Sequence, residues 1–320
     1  MKTVLHCTRD ENRSYLSPQT WPSEHRAGVE RIQMEMEPTK QRSLGLIAGG
    51  GKLPQLVAEG MHEAGVRVIG IGLRDHHDPA LAAMCDQFVV HGVLRISSWI
   101  KTLRRAGIKE VVIVGRVGKA RLMHQPLRWV RQMPDWRAIR VWYRRLGNDR
   151  RNNTVMSALA DELRHYGLTL IDSTTYVKRH LAHEGVMTRV RTSEQHDADI
   201  SDGWPMLRRL VSLDIGQSIA ICGGRVIAVE SLEGTDAMIE RAGGLNGAGW
   251  TLLKAPAEDH DMRFDVPAIG PTTIERMALA RGGCLALNAG RVIMIDKDKV
   301  LATAERLGIA IVGIKTTGGS

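Results

Sequence analysis

The sequence predicts an α/β protein in which a parallel-sheet domain precedes a second α/β domain with a mixed sheet. Three observations predict this fold class. From Leu44 to about residue 174, short apolar runs alternate with helical patterns of 10–15 residues, which is typical of parallel strands joined by crossover helices. The later sequence has shorter, more closely spaced apolar runs with helices between some of them. The chain has 320 residues, enough for two domains that each bury a core.

The first half supplies alternating strands and helices. The predicted strands cover residues 44–49, 66–73, 85–93, 109–117 and 168–174. The predicted helices cover residues 53–65, 96–107 and 152–167. This alternation predicts a Rossmann-like parallel sheet, in which ligands bind beyond the carboxyl ends of the strands.

The second half has a different pattern of elements. Strands are predicted at 218–224, 225–230, 249–255, 284–290, 291–296 and 309–314, and helices at 235–244, 271–283 and 297–308. Residues 173–210 resemble a connector, because they combine Gly185 and several charges before the stretch WPMLRRLVSLDIGQ. We therefore predict a flexible N-terminal extension over 1–42, a Rossmann-like substrate-binding domain over 43–175, and a C-terminal catalytic α/β domain over 176–320.

The net charge of the chain favours an anionic partner but does not identify it. The formal net charge is +9, which favours nucleic acid, an acidic membrane surface or a phosphorylated metabolite as an anionic partner. No apolar run approaches the ~18 residues of a membrane-spanning helix. The N-terminus lacks the apolar stretch of a secretory signal, so we expect a cytoplasmic protein. The four cysteines form no CxxC pair, so neither a zinc site nor a disulfide framework is indicated.

A glycine-rich turn follows the first predicted strand. Gly49, Gly50, Gly51 and Lys52 stand where a strand ends and a helix begins, and such a turn lets a phosphate approach bare backbone at a helix N-terminus. The sequence is not a Walker A loop, and Pro54 departs from the GxGxxG pattern. Two interpretations stay open, a phosphate-binding loop and a tight turn that packs a helix on the sheet.

A basic segment with interleaved tryptophans covers residues 119–151. Asp135 follows Pro134 and is suited to cap a short helix. A basic amphipathic helix is compatible with a membrane interface, with nucleic acid, or with a packed helix that has a solvated basic face. These three alternatives stay open.

Carboxylates at strand-to-helix junctions of the second half indicate phosphoryl chemistry. Asp236 and Asp265 stand at such junctions, and Lys254 and Arg263 are near them in the sequence. Mg²⁺, lysine and arginine neutralise diphosphate oxygens, while a further carboxylate orients or deprotonates the attacking water. The plainer alternatives are that Asp236 caps a helix, that Asp265 is a turn residue, and that Arg263 pairs with a surface acid.

These residues lie in motifs that resemble the LpxI type of UDP-2,3-diacylglucosamine pyrophosphatase. The matching segments are LGLIAGGGKLP, LDIGQS, AVESLEGTDAM, KAP, RFDVPAIGPTTI and GIAIVGI. They occur from about Leu44 to Ile314, which is nearly the whole chain beyond the extension. Several short motifs in this order are far more specific than one glycine loop.

The resemblance implies two domains with the substrate between them. It implies Mg²⁺-dependent hydrolysis of UDP-2,3-diacylglucosamine to 2,3-diacylglucosamine 1-phosphate (lipid X) and UMP, a step in lipid A synthesis. We assign Asp265 as the catalytic residue, and Asp236 with Asp265 as metal ligands. The assigned substrate-binding residues are Gly49, Gly50, Gly51, Lys52, Gln217, Thr235, Lys254 and Arg263.

The resemblance also implies a place in the cell. A lipid-linked substrate implies peripheral contact with the cytoplasmic face of the inner membrane, for which the basic segment is a candidate. We expect no nucleic-acid partner, and a homodimer is one alternative for the assembly. The chain departs from the family at Arg151-Asn152-Asn153, where members often carry Gly-Asp-Asp, and at Gly115-Arg116-Val117, where Gly-Asn-Val is common.

Two other functions fit parts of the sequence. A nicotinamide or flavin oxidoreductase would need a true GxGxxG and an acidic residue about 20 positions later, but Asp75 comes late and follows an arginine. A basic nucleic-acid-binding protein fits the charge, although no recognised nucleic-acid module is present.

Overall fold

The structure is a computed structural model, and it describes residues 41–117, 134–141, 152–245 and 247–316. The described residues from Arg42 onward form one compact unit. Most of the predicted N-terminal extension lies outside the described residues. So does most of the basic segment 119–151, of which the part around the short helix α3 (Trp136–Arg140) is described.

The first half contains a five-stranded, fully parallel sheet, as predicted. Its strands are β1 (Ser43–Ala48), β2 (Arg67–Leu73), β3 (Gln87–His91), β4 (Glu110–Val114) and β5 (Thr169–Leu170). Their order across the sheet is β3-β2-β1-β4-β5. The chain therefore adds β2 and β3 on one side of β1, and then crosses back to add β4 and β5 on the other side of β1. This reversal is the topological switch point at which doubly wound sheets bind ligands.

Helices cover both faces of this sheet. They are α1 (Leu53–Glu63), α2 (Ile96–Arg105) and α4 (Asn152–His165). Successive residues of β1 point to opposite faces: Leu46 packs in one cluster with α1, and Ile47 packs in another with α2 and α4. Burial on both faces explains why this strand is apolar without alternation.

The second half contains a six-stranded mixed sheet, also as predicted. Its strands are β6 (Gly185–Val186), β7 (Ser218–Cys222), β8 (Arg225–Val229), β9 (Trp250–Lys254), β11 (Gly282–Asn288) and β13 (Ala310–Ile314). The order is β6-β13-β11-β9-β7-β8. The β13–β11 and β11–β9 pairs are parallel, and the other neighbouring pairs are antiparallel. The helices are α5 (Glu194–Ser212), α6 (Thr235–Leu245), α7 (Pro271–Leu279) and α8 (Lys297–Leu307).

The predicted connector over 173–210 is wrong for its second part, which forms most of α5. Pro205 lies inside this helix, and the Ser193 and His196 side chains form a capping box at its start. Gly203 is needed because a Cβ there would lie 2.5 Å from Leu253 Cδ1 on the underlying sheet. Gly203 therefore serves close packing on the sheet, while Pro205 is exposed within the helix.

A separate two-stranded parallel sheet joins the two halves. It consists of β10 (Ala268–Ile269) and β12 (Ile293–Met294). Ala268 and Ile293 pack in the cluster that contains β1 and α1, whereas Ile269 and Met294 pack in the cluster beneath α6 and α7. Because side chains alternate along a strand, this small sheet contributes to both cores. The sequence predicted a single strand over 291–296, and only Ile293–Met294 forms one.

Charged side chains occur along α5, which has 19 residues. Among the helices of the described ranges, none is both long and apolar enough to cross a bilayer.

Candidate active site

Three strand ends of the second sheet meet at one edge. Ser218 begins β7 and lies opposite Lys254, the last residue of β9. Glu230 directly follows β8, and its backbone N–H donates to the Ser218 carbonyl at 2.9 Å. Because β7 runs antiparallel to both neighbours, the start of one strand and the ends of two others converge here.

The Lys254 ammonium is buried at this edge and uses all its hydrogen-bond donors within the protein. Its Nζ lies 2.9 Å from Ser218 Oγ, 2.9 Å from Thr235 Oγ1 and 3.3 Å from Glu230 Oε2. An ammonium has three N–H bonds, so these three acceptors satisfy it. A buried charge is tolerated only when it is paired and hydrogen-bonded in this way.

Glu230 is the anionic partner of this lysine. Its side chain is 12% exposed, and Thr235 Oγ1 donates to its Oε1 at 2.7 Å. Burial alone would raise the pKa of the Glu230 carboxyl, but the Lys254 charge and hydrogen bonds from Ser218, Thr235 and Lys254 hold that pKa below its usual value. Glu230 is therefore an ionised carboxylate at neutral pH.

Burial lowers the pKa of the Lys254 ammonium, and three carboxylates oppose that effect. They are Glu230, Asp265 and Asp236, in that order of influence. The last two are assigned site residues, so the structure brings both carboxylates within electrostatic range of the same lysine. We call the hydrogen-bonded group of Ser218, Glu230, Thr235 and Lys254 the buried network.

Within the buried network, Lys254 and Thr235 hold the start of α6 against the strand ends. The Thr235 hydroxyl accepts from Lys254 and donates to Glu230, so its one proton is already used. Thr235 is also the first residue of α6, and its bonds attach the start of that helix to the strand ends. Direct contact of Lys254 and Thr235 with substrate stays a prediction.

Asp265 is held at this edge by packing against the first half of the chain. The neighbouring Phe264 is buried with Ala160 of α4 and Leu170 of β5. The Ser173 hydroxyl donates to the Met262 carbonyl at 2.8 Å. These contacts fix the loop that carries Asp265 against the parallel sheet, while the aspartate itself is exposed.

The Asp265 backbone and side chain are both unusual. Its φ of 51° lies in the left-handed region, which aspartate adopts more readily than most residues. The Gln217 side chain donates to the Asp265 carbonyl at 3.3 Å. Within the described ranges, no side chain or backbone group forms a hydrogen bond or ion pair with the Asp265 carboxylate. A free carboxylate on a fixed, left-handed turn is available for chemistry.

Asp236 lies one residue into α6, after Thr235. Its carboxylate is 3.4 Å from Arg276 of α7, and half of its side chain is exposed. Among the described residues, no group of three or more His, Cys, Asp or Glu side chains comes together as a metal site. Mg²⁺ needs only one or two protein carboxylates, with water and phosphate oxygens completing its shell. Asp236 and Asp265 offer such hard oxygen ligands, so the residues present fit this ion.

The glycine-rich turn lies at the carboxyl end of β1. A Cβ on Gly49 would lie 2.7 Å from the Arg116 carbonyl oxygen, and a Cβ on Gly50 would lie 2.7 Å from the His76 carbonyl oxygen. Gly51 has a φ of 91°, and a Cβ there would lie at ordinary contact distance, 3.9 Å, from the Arg116 side chain. Packing against neighbouring strand ends thus requires the first two glycines, and backbone conformation requires the third.

Two predicted substrate contacts are engaged within the protein. Lys52 forms an ion pair of 2.6 Å with Asp296, at the start of α8. Arg263 pairs with Asp261 two residues earlier, through hydrogen bonds that include one of 2.8 Å from Nε. Neither contacts the buried network among the described hydrogen bonds, so substrate binding by these residues stays a prediction.

Sequence reasoning did not select Ser218, Glu230 or Arg276 as site residues. Ser218 and Glu230 lie in the matching segments LDIGQS and AVESLEGTDAM, but their role follows from strand pairing. The available signal was positional, because polar residues stand at the starts or ends of apolar strands that should meet at one sheet edge.

We expect Glu230→Gln to destabilise the fold by at least about 2 kcal/mol at neutral pH, because it leaves the buried Lys254 charge without its counter-charge. Since the Glu230 pKa is lowered by folding, its ionised form stabilises the native state above the unfolded pKa of about 4.3. That stabilisation is lost as the pH falls through the lower folded pKa. Urea unfolding from pH 7 to pH 3 should show the difference between wild type and variant shrink below about pH 4.

The control is Glu63→Gln, which removes an exposed carboxylate paired with Arg179 at 2.6 Å. A surface pair contributes less than about 1 kcal/mol, so this variant should stay close to wild type. Equal stability of the two variants at neutral pH would contradict a stabilising role for the buried network.

Comparison with solved structures gives no guide to this chain. A biotin carboxylase domain of a thermophilic 2-oxoglutarate carboxylase is 12% identical, covers 57% of this chain and 37% of its own, and has a TM-score of 0.23. An N5-carboxyaminoimidazole synthetase from Staphylococcus aureus is 14% identical, covers 59% and 41%, and has the same TM-score of 0.23. The chain spans about two fifths of each structure, and similarities this weak carry no argument.

Comparison with known sequences gives a clear relationship. The chain is 31% identical over 282 residues to the UDP-2,3-diacylglucosamine pyrophosphatase LpxI of Caulobacter vibrioides, and the match covers 85% of this chain and 98% of the relative. The profile of the LpxI N-terminal domain matches residues 43–180, which contain the glycine turn and the parallel sheet. The profile of the LpxI C-terminal domain matches residues 183–312, which contain the buried network and Asp265. The chain belongs to the LpxI family.

Proposed function

We propose that this protein hydrolyses the pyrophosphate bond of UDP-2,3-diacylglucosamine with Mg²⁺, and that it releases 2,3-diacylglucosamine 1-phosphate and UMP. The relative of known name supports this substrate. The observation that carries the proposal is the free Asp265 carboxylate, which stands at the junction of the two sheets and beside the buried network.

Asp265 accepts a proton from the attacking water in this proposal. Its carboxylate is exposed and unpaired among the described residues, and its left-handed backbone is fixed by Phe264 on one side. The water then attacks the phosphorus on the sugar side, and UMP leaves with the bridging oxygen. The phosphate that took up the water oxygen stays on the diacylglucosamine.

The other residues hold this arrangement and neutralise charge. Gln217 donates to the Asp265 carbonyl and restrains the loop. The Lys254 ammonium supplies a buried positive charge near the two aspartates. When bound by Asp236 and Asp265, Mg²⁺ would neutralise the diphosphate oxygens and so make the phosphorus easier to attack.

The proposed reaction is tested by incubating the purified protein with UDP-2,3-diacylglucosamine and Mg²⁺ in ¹⁸O-labelled water. Mass spectrometry should find UMP without label and lipid X with one labelled oxygen. EDTA should stop the reaction, and added Mg²⁺ should restore it. Label in UMP would contradict attack on the sugar-side phosphorus, and an unchanged substrate would contradict the function.

We expect Asp265→Asn to reduce kcat by about a hundredfold to ten-thousandfold, which is the usual contribution of a general base. Asparagine also tolerates left-handed backbone, so the loop should keep its conformation. Steady-state kinetics with circular dichroism would measure both effects.

The matched control is Asp214→Asn. Asp214 is also an exposed aspartate in the left-handed region, with a φ of 55°. It should retain activity close to wild type. Wild-type turnover by Asp265→Asn would remove the assigned role of this residue.

We further propose that the protein works in the cytoplasm at the surface of the inner membrane. The described part of the basic segment supports this contact, because Trp136 and Ile139 of α3 are 60% and 44% exposed. The Arg140 guanidinium lies 5.5 Å from the Trp136 ring centroid, so a cation accompanies an exposed aromatic side chain.

Sedimentation with anionic vesicles tests this membrane contact. Wild type should bind, and a variant with serine at Arg137, Arg140 and Arg144 should bind more weakly, because each basic residue near an anionic surface contributes about 1 kcal/mol. Equal binding would exclude this segment as the contact. The oxidoreductase and nucleic-acid-binding alternatives are not favoured by membership of the LpxI family.

A further inference from the structure

Arg116 occupies the switch point of the parallel sheet. It lies two residues beyond the end of β4, the strand that neighbours β1 on the side where the chain order reverses. Ligands of doubly wound sheets bind in the crevice between two such strand ends.

The Arg116 backbone is fixed by the glycine turn. Its N–H donates to the Gly50 carbonyl at 2.9 Å, and the Gly50 N–H donates to the Arg116 carbonyl at 2.8 Å. Gly115 has a φ of 95°, and a Cβ there would lie 2.8 Å from the Gly49 carbonyl carbon. Two hydrogen bonds and a contact that only glycine permits therefore hold this arginine in place.

The Arg116 side chain extends over the third glycine. Its Nε and Nη2 lie 3.9 and 4.0 Å from the position that a Cβ on Gly51 would occupy. Arg116 is exposed, and it forms no ion pair or side-chain hydrogen bond in the part of the chain that the structure describes. The adjacent Lys52 is already paired with Asp296. The guanidinium thus brings an uncompensated positive charge to a patch of bare backbone.

This edge is also the one at which Asp265 lies. Ile113 of β4 packs in a cluster with Phe264, and the next residue, Val114, packs in a cluster with Val266. The residues on both sides of Asp265 therefore share clusters with the last two residues of β4, and Arg116 follows these along the chain.

We propose that Arg116 binds the diphosphate oxygens of the substrate through its guanidinium. This inference rests on the proposed function. A planar guanidinium donates two parallel hydrogen bonds to phosphate oxygens, and the bare backbone of Gly51 leaves room for the ligand to approach. Arg116 would then determine the affinity for the diphosphate, while Asp265 acts on the water.

The test compares Arg116→Gln and Arg116→Lys with Arg306→Gln. Arg306 is an exposed arginine on α8, so its substitution removes the same charge elsewhere. For UDP-2,3-diacylglucosamine, Arg116→Gln should raise KM by about tenfold to a hundredfold, as expected for hydrogen bonds to a charged group. We expect kcat to change less than KM, Arg116→Lys to recover part of the affinity, and Arg306→Gln to match wild type.

Binding of inorganic pyrophosphate, measured by calorimetry, separates this inference from the proposed function. If wild type does not hydrolyse UDP-2,3-diacylglucosamine, the proposed function fails, and weaker pyrophosphate binding by Arg116→Gln than by Arg306→Gln still supports the anion site. Indistinguishable KM values and pyrophosphate affinities for these two variants would overturn the role of Arg116. Absence of pyrophosphate binding by an inactive wild type would overturn it as well.

Discussion

Burial of the Lys254 charge is the constraint on which the site depends. An ammonium taken out of water needs three acceptors and a counter-charge, and here they come from β7, from the residue after β8 and from the start of α6. Satisfying one side chain thus fixes the relative positions of three separate parts of the chain. Asp236 follows directly in α6, so the same requirement determines where its carboxylate stands.

A second constraint fixes Asp265, and it originates in the other half of the chain. Phe264 is buried and Val266 is partly buried in clusters built on the parallel sheet, which leaves the aspartate between them at the surface. The β10–β12 sheet adds to this by placing alternate side chains in the two cores. The candidate site is therefore assembled by apolar packing between halves, whereas its charges are set by the network within one half.

The sequence predicted the fold class and most elements because the first sheet is buried on both faces and the second has short apolar strands whose ends are marked by glycine or polar residues. It failed at α5, where a charged stretch with an internal proline was taken for a connector, although Gly203 fits the helix closely on the sheet beneath it. It also missed the shortness of β12, since 291–296 is apolar along most of its length. Motif resemblance selected Asp265 and included Glu230 in a matching segment, but the role of Glu230 was not predicted, because it comes from pairing with Lys254, which is 24 residues away in the chain. The sequence could not predict that the Arg116 side chain lacks an ion-pair partner among the described residues, because this depends on which side chains lie near it in the folded protein.

Because of Phe264, the conformation of the Asp265 loop depends on the presence of the first half of the chain. If the C-terminal half were produced alone, this ring and its neighbour Val266 would be exposed to water, and the loop between them would lose the surface that orients it. The chain could be cut between the two sheets, as in a circular permutation or a split reporter. The Phe264 contact would then have to form again before Asp265 regained its position. Exchange of N-terminal halves among relatives faces the same requirement, because the pocket for the ring is supplied by Ala160 and Leu170.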